Sequence, residues 1–238
     1  MRHSIVHNGF ACCRSSSLLR RSSSSAQSDP SHWSSSLETG FAQAWALLAL
    51  SVKEDPQSTL RSPTLASVDD AGLPQQRTLV LRGVTGVAEG APRLRFHTDV
   101  RAPKVEQLRR RPALSVLAYD KRLKLQLRID GTAVIRTLAE GDALAEYAWA
   151  SSAPISRRCY FIADPPSATS SPPRLDEMAS DLRAVRTEDP ELASPHFAVI
   201  DIEVTSCELL YLKMGGNKRM RASGYSKNAP PTLEWLVP

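Results

Sequence analysis

From Leu123 to Ile129 the chain alternates leucine or isoleucine with polar residues. A period of two is the mark of a strand with one apolar and one polar face. The pattern predicts that Leu123, Leu125, Leu127 and Ile129 enter a core, while Lys124, Gln126, Arg128 and Asp130 face away, in a strand reaching Thr137. Shorter apolar or alternating runs predict further strands over 64–68, Arg77–Val84, Arg93–Thr98, Ala113–Tyr119, Phe197–Val204, Glu208–Met214, Arg219–Tyr225 and Thr232–Val237. Asp69-Asp70-Ala71-Gly72 is turn chemistry, so the strand at 64–68 and the one from Arg77 form a hairpin. The period changes at Leu37, Phe41, Trp45, Leu48 and Val52, whose spacings of three and four predict an amphipathic helix. Ser35 with Glu38 reads as its capping box. Pro103 suits the first turn of a short helix that buries Val105 and Leu108 and stops before Pro112. Further helices are expected over about 138–150 and 175–186, with a Pro- and Ser-rich loop at 163–173. No helix-sized segment separates the central strands, which argues against parallel βαβ units and for a small antiparallel barrel.

Composition narrows the classes. A chain of 238 residues that is 42% hydrophobic can bury one full core. No apolar run is long enough to span a bilayer. The net charge of +5 favours anionic partners. Cys12, Cys13, Cys159 and Cys207 form no CxxC pair, and the five histidines show no ligand spacing, so no metal site is expected. Residues 1–33 carry four arginines, much serine and no acid before Asp29. That composition is expected of a transit peptide to a mitochondrion or plastid, with a disordered leader on a cytoplasmic protein as the alternative. Residues 34–238 are read as one domain.

Candidate chemistry gathers at strand ends. Arg77 and Arg82 bracket an apolar run, but their parity differs, so an ideal strand would point them to opposite faces. From Thr98 to Lys104 the chain offers a hydroxyl, the Arg101 guanidinium, the Lys104 ammonium and the free N–H groups of a helix start, the ingredients of a phosphate site. Gln126 both donates and accepts, as recognition of a heterocycle edge requires. No Ser-His-Asp, HExxH, P-loop or GxGxxG pattern occurs, so no catalytic side chain is assigned. Nothing in the basic run from Arg101 to Arg128 carries a nucleic-acid recognition motif, so nucleic acid is not an expected partner.

The order Arg77-x-x-Val80-Leu81-Arg82, then Phe96-His97-Thr98-Asp99-x-Arg101-x-x-Lys104, then Gln126-x-x-x-x-Gly131, resembles the pyridoxamine 5'-phosphate oxidase-like flavoproteins, as does the ending Arg219-x-Arg221 … Trp235-Leu236-Val237-Pro238. The resemblance implies a mainly β (α+β) fold, an antiparallel split β-barrel of about six strands with flanking helices. It also implies a homodimer holding FMN at the interface. It places flavin contacts on Arg77, Thr78, Leu79, Val80, Leu81 and Arg82, on His97 and Thr98, on Arg101 and Lys104 at the phosphate, and on Gln126, Tyr211 and Arg221.

The substrate half departs further from the pattern. Tyr147 matches a family tyrosine that holds the substrate phosphate, but the arginine and serine beside it fall on Ser151 and Ile155. A substrate Arg-x-His pair falls on Asn217 and Arg219, and the family's closing arginine is Trp235. Arg157 and Arg158 lie near enough in sequence to substitute. The implied activity is that of an FMN-dependent oxidoreductase acting on a small amine donor, with Tyr147 and Arg219 on the substrate side. The alternative is a non-catalytic module that stores or senses FMN.

Overall fold

A computed structural model describes residues 35–55, 57–86, 91–185, 194–226 and 229–238; the expected leader lies outside them. Helix α1 (Leu37–Lys53) begins at Ser36, whose hydroxyl accepts a bond from the Thr39 N–H, one residue later than the expected cap at Ser35. Its buried face carries Phe41, Ala44, Trp45 and Leu48, as the spacing requires. The strands are β1 (Thr64–Val68), β2 (Pro74–Thr78), β3 (Leu81–Thr85), β4 (Arg93–Asp99), β5 (Ala113–Asp120), β6 (Leu125–Thr137), β7 (Phe197–Tyr211), β8 (Lys218–Ser223) and β9 (Thr232–Leu236). The remaining helices are α2 (Pro103–Arg110), α3 (Ala143–Ser151), α4 (Pro154–Arg157) and α5 (Pro172–Ala184).

Every strand pair is antiparallel. The order runs β2-β1-β5-β6-β7-β4-β3, with β8 on the second half of β7 and β9 outside β8. Strands β2 and β3 end this path, yet only Leu79 and Val80 separate them in sequence. Two residues reach less than about 10 Å, so the ends of the sheet must meet. The sheet therefore curls into a split barrel, the expected architecture. Leu65, Leu94, Phe96, Leu125, Leu127, Ile129, Ile200 and Leu209 fill its interior. A smaller cluster of Ala145, Ala148, Trp149, Tyr160, Phe197 and Val199 seats α3 on the outer side of β7.

Several boundaries differ from expectation, each for a physical reason. The described residues form nine strands rather than about six. The expected strand Arg77–Val84 is broken: Arg77 lies near the end of β2 and Arg82 near the start of β3, because the chain leaves one sheet edge for the other at Leu79-Val80. The hairpin partner of β1 is therefore 74–78, turned at Gly72 with φ +83. The segments 197–204 and 208–214 form one continuous strand, β7, bent by a bulge where Asp130/Gly131 face Ser206/Val204. Strand β6 starts at Leu125, after a turn in which Lys124 adopts φ 51. Helix α3 begins at Ala143, under an Asp142 cap, because residues 138–141 form a turn with Gly141 at φ 65.

Candidate functional site

Three groups of predicted residues occupy three neighbouring places. In the first, Arg77 from β2 meets Gln107 in the middle of α2. Its Nη1 donates to Ser67 Oγ at 2.6 Å and to Gln75 O at 2.9 Å, and its Nη2 to Gln107 Oε1 at 3.2 Å. Lys104 Nζ donates to Thr98 Oγ1 at 3.2 Å. Neither cation pairs with a carboxylate among the described residues. Burial, then the charge of Arg77, lowers the Lys104 ammonium from its ordinary range, and Asp99 opposes the shift only in part. Two cations thus crowd a niche beside the N-terminus of α2, where Ala102 provides no side-chain cap. Such a donor set fits a phosphate group.

Arg101 stands apart from these two. Its Nε and Nη2 donate to Asp99 at 3.0 and 2.7 Å, and its remaining bonds reach the Ile162 and Ala163 carbonyls at 2.8 Å each. The hydrogen bond and charge of Asp99 raise its pKa. Arg101 is thus a strut between the β4–α2 turn and the segment after α4.

The second place is a cavity of about 200 Å³ between β3, β4 and α3. Arg82, His97, Tyr147 and Ser151 line it. Burial, then the field of Arg82, pushes the His97 imidazole down to about 4, so it is neutral at physiological pH. Its Nδ1 lies 3.4 Å from Ser152 Oγ, and its ring packs edge-on against Phe197. Arg61, from the short 3₁₀ turn Thr59–Arg61, also lines the cavity, as does Arg95. Arg61 was missed by sequence reasoning, because no local pattern connects a turn after α1 with a pocket on α3. Arg157 stacks on Trp149 at 5.2 Å and donates to Ala150 O, and neither it nor Arg158 lines this cavity.

The residues between these places, Thr78 to Leu81, are the crossing from β2 to β3. Arg77 and Arg82 therefore serve different sites on either side of one short link, which resolves their opposed parity. His97 and Thr98 divide in the same way, since adjacent strand residues face oppositely.

The third place is the outer face of β6, β7 and β8. Gln126 is in register with Leu210, and Leu210 with Arg219. Arg219 and Arg221 both donate to Glu208, the latter at 2.8 Å, and Arg128 reaches the same carboxylate at 3.4 Å. Burial pushes the Glu208 carboxyl up, but its bonds to Arg219 and Arg221 outweigh this and hold it below the usual range. No hydrogen bond or ion pair joins Gln126, Arg219 or Arg221 to the other two places among the described residues. Tyr211 faces the opposite way, into the barrel core, and is 8% exposed. Among the described residues no group of His, Cys, Asp and Glu could hold a metal ion, and no helix is long and apolar enough to cross a membrane.

Residues 32–137 match the family model of the pyridoxamine 5'-phosphate oxidase, FMN-binding domain. A pyridoxine/pyridoxamine 5'-phosphate oxidase of Pseudomonas fluorescens is 36% identical over 90 residues, which are 38% of this chain and 40% of that protein. The chain therefore matches about two fifths of this relative's length. Two solved structures share the fold. One is a pyridoxamine 5'-phosphate oxidase-related, FMN-binding protein of Nostoc punctiforme, with a TM-score of 0.67 and 21% identity over 84% of this chain and 96% of the other. The other is PhzG of Burkholderia lata in complex with tetrahydrophenazine-1-carboxylic acid, with a TM-score of 0.61 and 17% identity over 90% of this chain and 95% of the other. Sequence match over residues 32–137 and the shared fold together support the resemblance of this chain to the pyridoxamine 5'-phosphate oxidase-like split-barrel family.

Proposed function

We propose that this protein binds FMN and works as an FMN-dependent oxidoreductase on a small organic donor. The observation that carries the proposal is the niche of Arg77 and Lys104, two cations without a carboxylate partner at a helix start. A phosphate there would satisfy both. Thr98 offers a hydroxyl within reach of the same ammonium. The crossing residues Thr78, Leu79, Val80 and Leu81 lead from that niche to the cavity of Arg82 and His97, so a planar ring laid along them would join the two places. Arg101 holds the turn that presents Lys104. When bound, a flavin supplies the hydride-accepting redox chemistry, and the protein's part is to orient it and to exclude water.

Gln126, Arg219 and Arg221 lie on an outer sheet face, beside exposed Leu117 and Tyr119. They enter the proposal through a homodimer in which this face of one copy covers the flavin of the other. Tyr211 is interior, so its share is to support β7 from behind. Tyr147 and Arg219 remain the substrate-side residues of the proposal. A transit role for residues 1–33 belongs to it too, and N-terminal sequencing of protein from its native cell should find a start within about the first forty residues.

The test is spectroscopic. Purified protein should be yellow and take up FMN stoichiometrically, and an Arg77→Ala, Lys104→Ala double variant should lose that absorbance. A wild-type protein that takes up no FMN would end the proposal. A second reading, FMN binding without turnover, draws on Ser151 and Ile155, which stand where the family clamp on substrate phosphate falls. Anaerobic mixing with a panel of amines and with NADPH separates the two: bleaching of the flavin by one donor marks an oxidoreductase, and bleaching by none marks the binding module.

A further inference from the structure

We propose that a second cavity, between the end of α1, the turn Thr59–Arg61 and the β5–β6 turn, binds a small organic ammonium ion, an alkyl- or arylamine whose apolar body rests on leucines. The cavity measures about 320 Å³, the size of a small-ligand pocket. Leu47, Leu50, Leu60 and Leu123 line it, and Leu50 is 43% exposed, so apolar surface stands open to water there. The lining carries three carboxylates, Glu54, Asp55 and Asp120, against one cation, Arg122. In a chain of net charge +5 this basin reverses the sign locally. The C-terminus of α1 falls beside it at Lys53 and adds the negative end of a helix dipole. An apolar floor under a negative rim complements a cation with a hydrocarbon body.

The three carboxylates divide the work. Asp120 is 1% exposed and already engaged: its Oδ1 accepts from the Arg122 and Leu123 N–H groups at 2.8 and 2.9 Å, and its Oδ2 from Thr59 Oγ1 at 3.2 Å. It holds the wall together. Asp55 Oδ1 accepts from the Gln57 N–H, but its Oδ2 meets the Arg122 guanidinium only at 3.7 Å, longer than a hydrogen bond. The Arg122 side chain is 70% exposed, so water screens this pair and a ligand ammonium can displace it. Among the described residues no hydrogen bond or ion pair takes the Glu54 carboxylate. Glu54 and Asp55 therefore receive the ammonium, and the leucines receive the hydrocarbon. The cavity shares no lining residue with that of Arg82 and His97: Ser51 and Leu60 line this one, Val52 and Arg61 the other. The proposal does not rest on the FMN reading.

The experiment is an NMR titration of backbone amides in isotope-labelled, FMN-loaded protein. The probes are phenethylamine and, separately, its neutral counterpart phenethyl alcohol, in wild type and in a Glu54→Gln, Asp55→Asn double variant. The amine should shift wild-type amides at the end of α1, at 58–60 and at 120–123. The alcohol should bind wild type roughly fivefold more weakly or worse, and the double variant should lose amine affinity by about as much, since each change removes the charge attraction. Amine shifts confined to other parts of the molecule, or no shift at all, overturn the proposal. So does equal affinity of wild type for amine and alcohol, or equal amine binding by the double variant and wild type. Should the double variant fail to fold, the wild-type contrast between amine and alcohol at these amides still decides. If FMN does not bind, the same titrations on flavin-free protein read the cavity, so this proposal and the flavin proposal fail separately.

Discussion

At the scale of single residues, position in the charge network decides role. Among the described residues Lys104 has a hydroxyl as its only hydrogen-bond partner, whereas Arg101 is held by Asp99 and two carbonyls. Lys104→Ala should weaken FMN binding by about 1.5–3 kcal/mol, the range of a charged hydrogen bond, which is roughly ten- to a hundredfold in Kd by flavin fluorescence. Arg101→Ala should weaken it less and should loosen the segment around Ile162, seen as faster hydrogen exchange there. His97 carries a pH signature. Its folded pKa of about 4 lies below the ordinary 6.5, so the unfolded chain binds the extra proton between those values. Stability from this group is fully present above about pH 6.5 and lost as pH falls towards 4, by up to roughly 3 kcal/mol. Denaturant titrations across that window should show the slope, and His97→Phe should flatten it.

At the scale of elements, β7 is the spine. Asp201, 1% exposed, receives Arg93 and Arg95 from β4 and Arg136 from β6, so one carboxylate fastens three strands. Burial pushes this carboxyl up, and the Arg93 and Arg136 bonds more than reverse that. Asp201→Asn should cost about 1–3 kcal/mol in denaturant unfolding, because it removes the charge the three strands share while Arg93 keeps Glu203 and Arg136 keeps Asp142. The bulge opposite sets a second constraint. A Cβ at Gly131 would lie 2.6 Å from Glu203 O and 2.7 Å from Ile202 Cγ2, so the backbone of β7 leaves no room for a side chain there. Gly131→Ala should lower Tm by several degrees through a backbone clash that no rotamer relieves.

At the scale of the whole molecule, the three places separate within one chain. The niche of Arg77 and Lys104 and the cavity of Arg82 and His97 flank the β2–β3 crossing, while Gln126, Arg219 and Arg221 look outward from β6 and β8. A two-fold dimer that lays the outer face of one copy over the crossing of the other would bring all of them to one ligand. Sedimentation should therefore show a dimer, and Tyr119→Glu, on the outer face with 42% exposure, should shift it towards monomer and weaken FMN binding together. A wild-type monomer that holds FMN tightly would contradict this assembly.

Much of the fold was legible along the chain because it is written in periods. Alternation placed Leu125, Leu127 and Ile129 in the core, helical spacing placed Phe41, Trp45 and Leu48, and Pro103 marked the start of α2. The short-range motif at 98–104 likewise announced a cation beside a helix start. What local pattern does not carry is where the chain changes sheet edges and which distant side chains neutralise one another. The stretch from Arg77 to Val84 reads as one strand until tertiary packing divides it between two sheet edges. Arg101 reads along the chain as a phosphate ligand, and only the structure shows it bonded to Asp99 and to two carbonyls near Ile162. Pairing energies and cavities depend on proximity in space, so the tertiary structure alone decided which described arginines meet a carboxylate and which, like Arg77, meet only neutral acceptors.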